Sequence, residues 1–123
     1  MLSDLTIAIQ NYTKEMNEEN LNAVGTVLQQ FCDLGMAIYV LGKETPQGLV
    51  MKTENSHGGE YLAVFSEPEE GNGPHGFKLF RMQTKPVLEE VIFNESLAGI
   101  VLNPFRNQVY IKKAMLADRM LSK

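Results

Sequence analysis

The side chains that could bind a metal or transfer protons are concentrated in two polar, glycine-bearing loops. His57 and His75 are the only two histidines, and Glu60 follows the first of them closely. Together with neighbouring carboxylates they could line a small-molecule pocket between residues 54–59 and 67–76. A metal site needs three or four ligands at a recognisable spacing, and these residues do not have one. We therefore predict no bound metal and keep the pocket as an alternative site.

None of the nucleophilic side chains occurs in a catalytic pattern. Cys32 lies on or just beyond the second predicted helix, beside Phe31, and we expect it to be buried as a small apolar residue, because no histidine or lysine next to it in the sequence would lower its pKa. The serines lack the Gly-x-Ser-x-Gly pattern of an exposed nucleophile. Gly71, Gly73 and Gly76 have the spacing of a phosphate-binding loop, but a predicted strand follows them instead of a helix. We therefore expect a protein that is not an enzyme and uses no cofactor.

A second candidate site is the turn predicted at Asn103-Pro104-Phe105-Arg106. Pro104 cannot donate to a sheet ladder, and it restricts Asn103 to extended or turn conformations. In one interpretation Asn103 bonds to its own backbone to form the turn, and Phe105 fills the end of the core. In the other, Phe105 and Arg106 project from a rigid turn as an aromatic and cationic anchor pair for a protein partner. The sequence leaves both interpretations open.

Charge and composition exclude several classes of partner. The chain of 123 residues has 11 Lys and Arg against 15 Asp and Glu, a formal net charge of −4. Because its basic residues are scattered, we expect no nucleic-acid partner. The single cysteine suits a reducing compartment, and no apolar run approaches the roughly 20 residues of a membrane helix. With no signal peptide recognisable at the N-terminus, the sequence predicts a cytoplasmic protein of one domain, 1–123, that does not enter a membrane.

Four amphipathic helices are predicted from apolar side chains at spacings of three and four residues. Three of the four have a candidate N-cap, and these caps are Ser3, Asn17 and Thr84. The first helix is expected to end near Met16 and the second at Gly35, and the last begins at about Lys112.

Short apolar or alternating runs predict six strands, at 36–41, 49–53, 60–66, 77–82, 97–102 and 108–111. Segment 42–48 is polar and bounded by glycines, so it is predicted to be a surface loop. Segment 67–76 is predicted to be a solvated, mobile loop outside the core, and strand 77–82 to lie near a sheet edge. This order predicts an α+β fold: a mixed, largely antiparallel sheet of about five or six strands, with an N-terminal helical pair and a C-terminal helix packed on it.

Several segments, in this order and spacing, resemble the N-terminal domain of the SseB family, named for enhanced serine sensitivity in bacteria. The similar segments are 20–24 with 38–40, 60–66 with the acidic residues after it, 99–105, and 115–116. The resemblance covers nearly the whole chain and implies a single-domain bacterial member. It supplies no catalytic residues, because the family's molecular activity is poorly defined. Two residues depart from the family pattern. Ala63 stands where the family commonly has proline, and Arg106 stands where it often has glycine. Without that glycine, the hairpin is expected to turn through Asn107.

The predicted function is non-catalytic association with another protein, or self-association, through the turn 103–106 and the sheet edge beside it. The alternative is a small-molecule or metabolite sensor, or a weak enzyme. It would use the loops 54–59 and 67–76, with His57, Glu60 and His75 in the pocket.

Overall fold

The computed structural model describes residues 2–56, 58–72 and 76–121, which form helices and one mixed sheet. The helices are α1 (Asp4–Lys14), α2 (Glu18–Asp33), α3 (Thr84–Phe93) and α4 (Lys113–Leu121). The strands are β1 (Ala37–Thr45), β2 (Gly48–Met51), β3 (Thr53–Ser56), β4 (Gly59–Phe65), β5 (Lys78–Gln83), β6 (Gly99–Leu102) and β7 (Val109–Lys112). A 3₁₀ helix spans Pro68–Gly71. Within the described part of the chain, no helix is long and apolar enough to cross a membrane.

The main sheet has the strand order β5-β1-β4-β6-β7, with one parallel pair, β4 and β6, among antiparallel neighbours. Strands β1 and β4 pair directly over a short stretch and then separate. Beyond that point β2 pairs with β1, and β3 pairs with β4. Val40 pairs directly with Val64. One residue further, Lys52 separates the two strands: its N–H donates to the Leu41 carbonyl (2.8 Å), and its carbonyl accepts from Ala63 N–H (3.1 Å). The α+β class and the largely antiparallel sheet are therefore confirmed.

The two faces of the sheet are covered differently. Because side chains alternate along a strand, Val40, Val64 and Ile100 point to one face, where they join a single core with residues of all four helices. We call the opposite side the aromatic face; its residues are Tyr39, Leu41, Tyr61, Ala63, Phe65, Val101 and Tyr110. The 3₁₀ helix packs on this second face.

The helix ends follow their sequence signals closely. The Ser3 hydroxyl accepts from Thr6 N–H (3.2 Å), and the Asn17 side chain accepts from Asn20 N–H (2.7 Å), so both predicted caps are confirmed. After α2, Gly35 adopts the left-handed conformation (φ 66°) and the backbone closes a Schellman motif.

Helix α1 ends at Lys14 with its C-cap at Glu15, close to the predicted end near Met16. One predicted helix cap is wrong. Thr84 is the first residue of α3 and does not cap it; its buried hydroxyl instead donates to the Met36 carbonyl (2.9 Å). The side chain ties the start of α3 to the start of β1.

The surface loop predicted at 42–48 is also wrong. Strand β1 continues to Thr45, and a turn at 46–47 leads directly into β2. Gly42, which suggested a loop, lies inside the strand under Leu49, whose Cδ1 is 2.9 Å from where a Cβ would stand. This glycine serves close packing instead of a turn.

The strand predicted at 49–53 is divided at Lys52, because the backbone of this residue bonds to two different strands; the sheet therefore has seven strands instead of six. The other predicted strand bounds, apart from the end of β1, agree within two residues. Strand β5 pairs with β1 alone among the described residues, so its predicted edge position is confirmed.

The start of segment 67–76 is not a solvated loop. A Cβ on Gly71 would lie 2.8 Å from Leu79 Cδ1 and 3.6 Å from Phe65 Cγ, so the 3₁₀ helix lies directly on the aromatic face. Residues 73–75 lie outside the described residues, and the mobility of the segment stays a prediction.

Candidate functional site

Asn103 is buried and fixes the turn through contacts with β4. Its Oδ1 accepts from Ser66 N–H (3.0 Å), its Nδ2 donates to Ser66 Oγ (2.9 Å), and its N–H donates to the Val64 carbonyl (2.9 Å). The expected bond to its own backbone is therefore wrong. Because β4 and β6 are parallel neighbours, the residues that follow them leave the sheet side by side and can bond to each other.

The backbone of Asn103 is left-handed, with φ 49°. Asparagine tolerates this region better than most residues. Asn107, where the turn was expected to need positive φ, does not have it; among the described residues other than glycine, only Asn103 does. Arg106 N–H then donates to the Asn103 carbonyl (3.1 Å) and closes the turn.

Ser66 continues this contact into a polar network that consists of Asn103, Ser66, Thr6, Glu67 and Ser3. Thr6 Oγ1 lies 2.7 Å from Ser66 Oγ and 2.6 Å from Glu67 Oε2. The Ser3 N–H also donates to Glu67 Oε2 (2.7 Å). Since the carboxylate can only accept, the single Thr6 proton goes to Glu67, and the contact with Ser66 is made by the serine proton. The network joins the turn, the end of β4, the start of α1 and the residue before the 3₁₀ helix.

The network holds Glu67 in its ionised form. Burial by itself raises the pKa of this carboxyl, but the hydrogen bonds from Thr6 and Ser3 outweigh burial and leave the pKa below the ordinary value of 4.5. Among the described residues, no buried side-chain nitrogen or oxygen is without a hydrogen-bond partner. The polar network is therefore satisfied and well suited to a structural role.

Phe105 and Arg106 stand outside this network; we call them the Phe105–Arg106 surface. The Phe105 ring lies 5.4 Å from the Phe65 ring, between centroids, yet the residue is 41% exposed. Arg106 Nη1 is 3.6 Å from Glu70 Oε2, with the arginine side chain 65% exposed. Phe105 thus covers part of the core, as the first interpretation predicted, and presents the rest of its ring to solvent; a protein partner at this turn stays a prediction. Pro104, between Asn103 and this surface, is partly exposed.

Of the three residues of the alternative pocket, only Glu60 lies among the residues that the structure describes, so the pocket stays a prediction. Glu60 accepts from Thr53 Oγ1 (2.6 Å) and Asn55 Nδ2 (2.9 Å), and these two hydrogen bonds lower its pKa below 4.5. Glu60 is at the start of β4 and Glu67 follows its end, so about 20 Å of extended chain separates the two carboxylates. His57 and His75 lie outside the described residues. In the described part of the chain, no three His, Cys, Asp or Glu side chains are grouped to hold a metal.

Sequence reasoning missed a groove of about 330 Å³ at one end of the aromatic face. Its polar lining comes from Ser3, Tyr39, Ser66, Glu67 and Arg81. Tyr39 and Arg81 are directly paired across β1 and β5. Strand alternation gives the face of each residue, but only the strand order shows that they meet. Cys32, predicted to be a small core residue, is buried at the end of α2.

Comparisons with protein-family models, with curated proteins and with solved structures find no match. The resemblance to the SseB N-terminal domain therefore stays a prediction from the sequence.

Proposed function

We propose that this protein acts without catalysis, by binding another protein chain through the Phe105–Arg106 surface. The observation that supports this function is the half-exposed ring of Phe105 on a turn that Asn103 anchors in the core. Aromatic and arginine side chains are enriched among the residues that dominate binding energies.

The anchored turn should lower the entropy lost on binding. Ordering one flexible side chain at an interface costs about 0.5–1.5 kcal/mol. Phe105 already rests against Phe65, and the backbone before it is held by three hydrogen bonds of Asn103. Phe105 and the turn are therefore already largely ordered in the free protein, and little further entropy is lost when a partner binds.

The chemistry of the surface indicates the kind of partner. An apolar pocket with a carboxylate at its rim would accept the ring and the guanidinium together. A two-fold contact between copies of this chain, centred here, would instead bring two Arg106 side chains close to each other, which is unfavourable. A different protein is thus the better occupant.

The test is affinity capture from native lysate by the immobilised protein, followed by measurement of the dissociation constant of the captured protein. Phe105→Ala should weaken binding at least tenfold, about 1.4 kcal/mol, and Arg106→Ala should cause a smaller, salt-dependent loss. Phe93→Ala and Lys85→Ala are matched controls, because both residues are exposed on α3. An equal loss of affinity in the control variants would contradict the proposal. A molar mass of the protein that rises with its concentration would indicate self-association.

The groove beside Tyr39 supports a second candidate, the binding of a small polar molecule. Its lining offers a carboxylate from Glu67 and a guanidinium from Arg81. A thermal-shift screen of amino acids, nucleotides and divalent metals distinguishes the two functions, because a ligand of the folded state raises the melting temperature by mass action. A shift that Arg81→Ala abolishes would favour the groove, and a flat screen would favour protein binding.

A further inference from the structure

Strand β5 offers unpaired backbone groups at an edge of the sheet. It pairs along its full length with β1, and no other described element pairs with it. Strands at such an edge can accept an additional strand from another chain.

The register identifies which groups point outward. Thr84 N–H donates to the Met36 carbonyl, which makes these two residues a hydrogen-bonded pair that continues the β1–β5 register. Hydrogen-bonded pairs alternate along an antiparallel ladder, so Met82, Phe80 and Lys78 also bond to β1. The N–H and C=O groups of Leu79 and Arg81 therefore point away from the sheet. The opposite edge of β1 agrees, since the Leu41 carbonyl accepts from Lys52 on that side.

Two side chains along this edge, those of Lys78 and Arg81, are positively charged. Lys78 and Arg81 are exposed, Leu79 is 37% exposed, and the chain contains no acidic residue from 77 to 88. Among the described residues, no carboxylate lies within ion-pair distance of Lys78 or Arg81. This strip is cationic although the whole chain has a net charge of −4.

We propose that the β5 edge binds an extended, acidic segment of a partner protein, which adds a strand beside Leu79 and Arg81. Backbone hydrogen bonds supply sequence-independent affinity, and carboxylates opposite Lys78 and Arg81 supply selectivity. A second copy of this chain is a poor occupant, because pairing β5 with itself would bring four cations together, and lysine on an edge discourages such pairing. The inference is independent of the Phe105–Arg106 surface.

The test uses a blocked peptide about ten residues long with the repeat Glu-Glu-Thr-Thr, which places carboxylates on both faces of the added strand, and a peptide of the same length with the repeat Lys-Lys-Thr-Thr as its control. Binding is followed by chemical-shift changes of the backbone amides. We expect the acidic peptide to shift the Leu79 and Arg81 amides saturably below about 1 mM, and the basic peptide to bind at least tenfold more weakly.

Two sets of variants separate the backbone contribution from the charge contribution. Leu79→Pro removes an outward N–H without removing a bond to β1 and should lower the affinity for the acidic peptide at least tenfold. Leu79→Ala keeps the N–H, and its affinity for the peptide should stay within about threefold of the wild-type value. Lys78→Glu with Arg81→Glu should reverse the preference in favour of the basic peptide. This exchange keeps the test decisive if the proline variant does not fold.

The proposal is overturned if the acidic peptide does not bind, if both peptides bind equally, if the shifts map elsewhere, or if a dimer forms through β5. Lys112→Glu on β7 is the matched charge control and should leave peptide binding unchanged. Phe105→Ala should also leave it unchanged. Failure of the first proposed surface therefore does not affect the result at β5.

Discussion

A carboxylate accepts hydrogen bonds at each end of β4, but the partners of the two carboxylates lie at different distances along the sequence. At the start of the strand, Glu60 bonds to Thr53 and Asn55, both in the adjacent strand of the same hairpin. At the other end, Glu67 bonds to Ser3, the N-cap of α1, and to Thr6 in its first turn, both more than sixty residues away in the sequence. Both carboxyl groups have a lowered pKa. Only the second of them joins parts of the fold that the chain itself does not bring together.

This difference indicates where the fold is sensitive to substitution and where it can support a binding site. The end beside Glu67 carries the polar network and, through Asn103, the turn that presents Phe105. The end beside Glu60 is closed by its own hairpin. We therefore expect large effects of substitution at the first end and small effects at the second.

The largest effect is expected for Asn103→Ala. It leaves the buried Ser66 N–H without its acceptor, at about 1–3 kcal/mol, and places an alanine in the left-handed region, at about 1–2 kcal/mol. We predict a loss of about 3 kcal/mol in the free energy of unfolding, measured by urea denaturation. Asn103→Gly relieves the backbone but not the hydrogen bonds and should fall between this variant and the wild type. A loss below about 1 kcal/mol for the alanine variant would contradict the role of the network.

The next effect is that of Phe105→Ala on stability. A fully buried phenylalanine costs about 3–5 kcal/mol when it is truncated, and Phe105 is 41% exposed. We expect about 2 kcal/mol from thermal or urea unfolding, with Phe93→Ala near zero as the exposed control. A loss above about 4 kcal/mol would restore the interpretation of Phe105 as a core plug, and no loss would contradict its packing on Phe65.

A smaller, pH-dependent effect is expected for Glu67→Gln. Because the folded state lowers the pKa of Glu67, ionised Glu67 contributes stability above its unfolded pKa, and this contribution disappears as the pH falls through the lower folded value. The wild type should be more stable than the variant at pH 7, and the difference should shrink once the pH is below about 4.5. Melting temperatures across this range measure it. A difference that grows on acidification would have the wrong sign.

The smallest effect is expected for Glu60→Gln. Its partners lie within one exposed hairpin, and the glutamine oxygen can still accept from Thr53 or Asn55. Its melting temperature should stay closer to the wild type than that of Glu67→Gln at pH 7. The reverse order would remove the distinction between the two ends of β4.

The sequence predicted those features that depend on neighbouring residues. The caps at Ser3 and Asn17, the stop at Gly35 and the edge position of β5 each follow from a signal within a few residues, and the α+β class follows from the order of such local elements. Gly42 shows where this reasoning fails. A glycine in a turn and a glycine that leaves room for the Leu49 side chain look the same in the local sequence, and only the position of the neighbouring strand distinguishes them.

The candidate site was predicted in part, for the same reason. Pro104 marked the turn in the sequence, but the partner of Asn103 depends on the parallel pairing of β4 with β6, which no pattern encodes. The groove at Tyr39 and Arg81 depends on strand order in the same way. Residues that meet only through topology leave no periodic signal in the chain.

The most direct test of the account is the affinity of the protein captured from lysate for the Phe105→Ala variant, compared with the wild type and Phe93→Ala. We predict at least a tenfold loss of affinity for Phe105→Ala, in a variant that remains folded at the temperature of the assay, and no loss for Phe93→Ala. Equal affinity of all three proteins would contradict it.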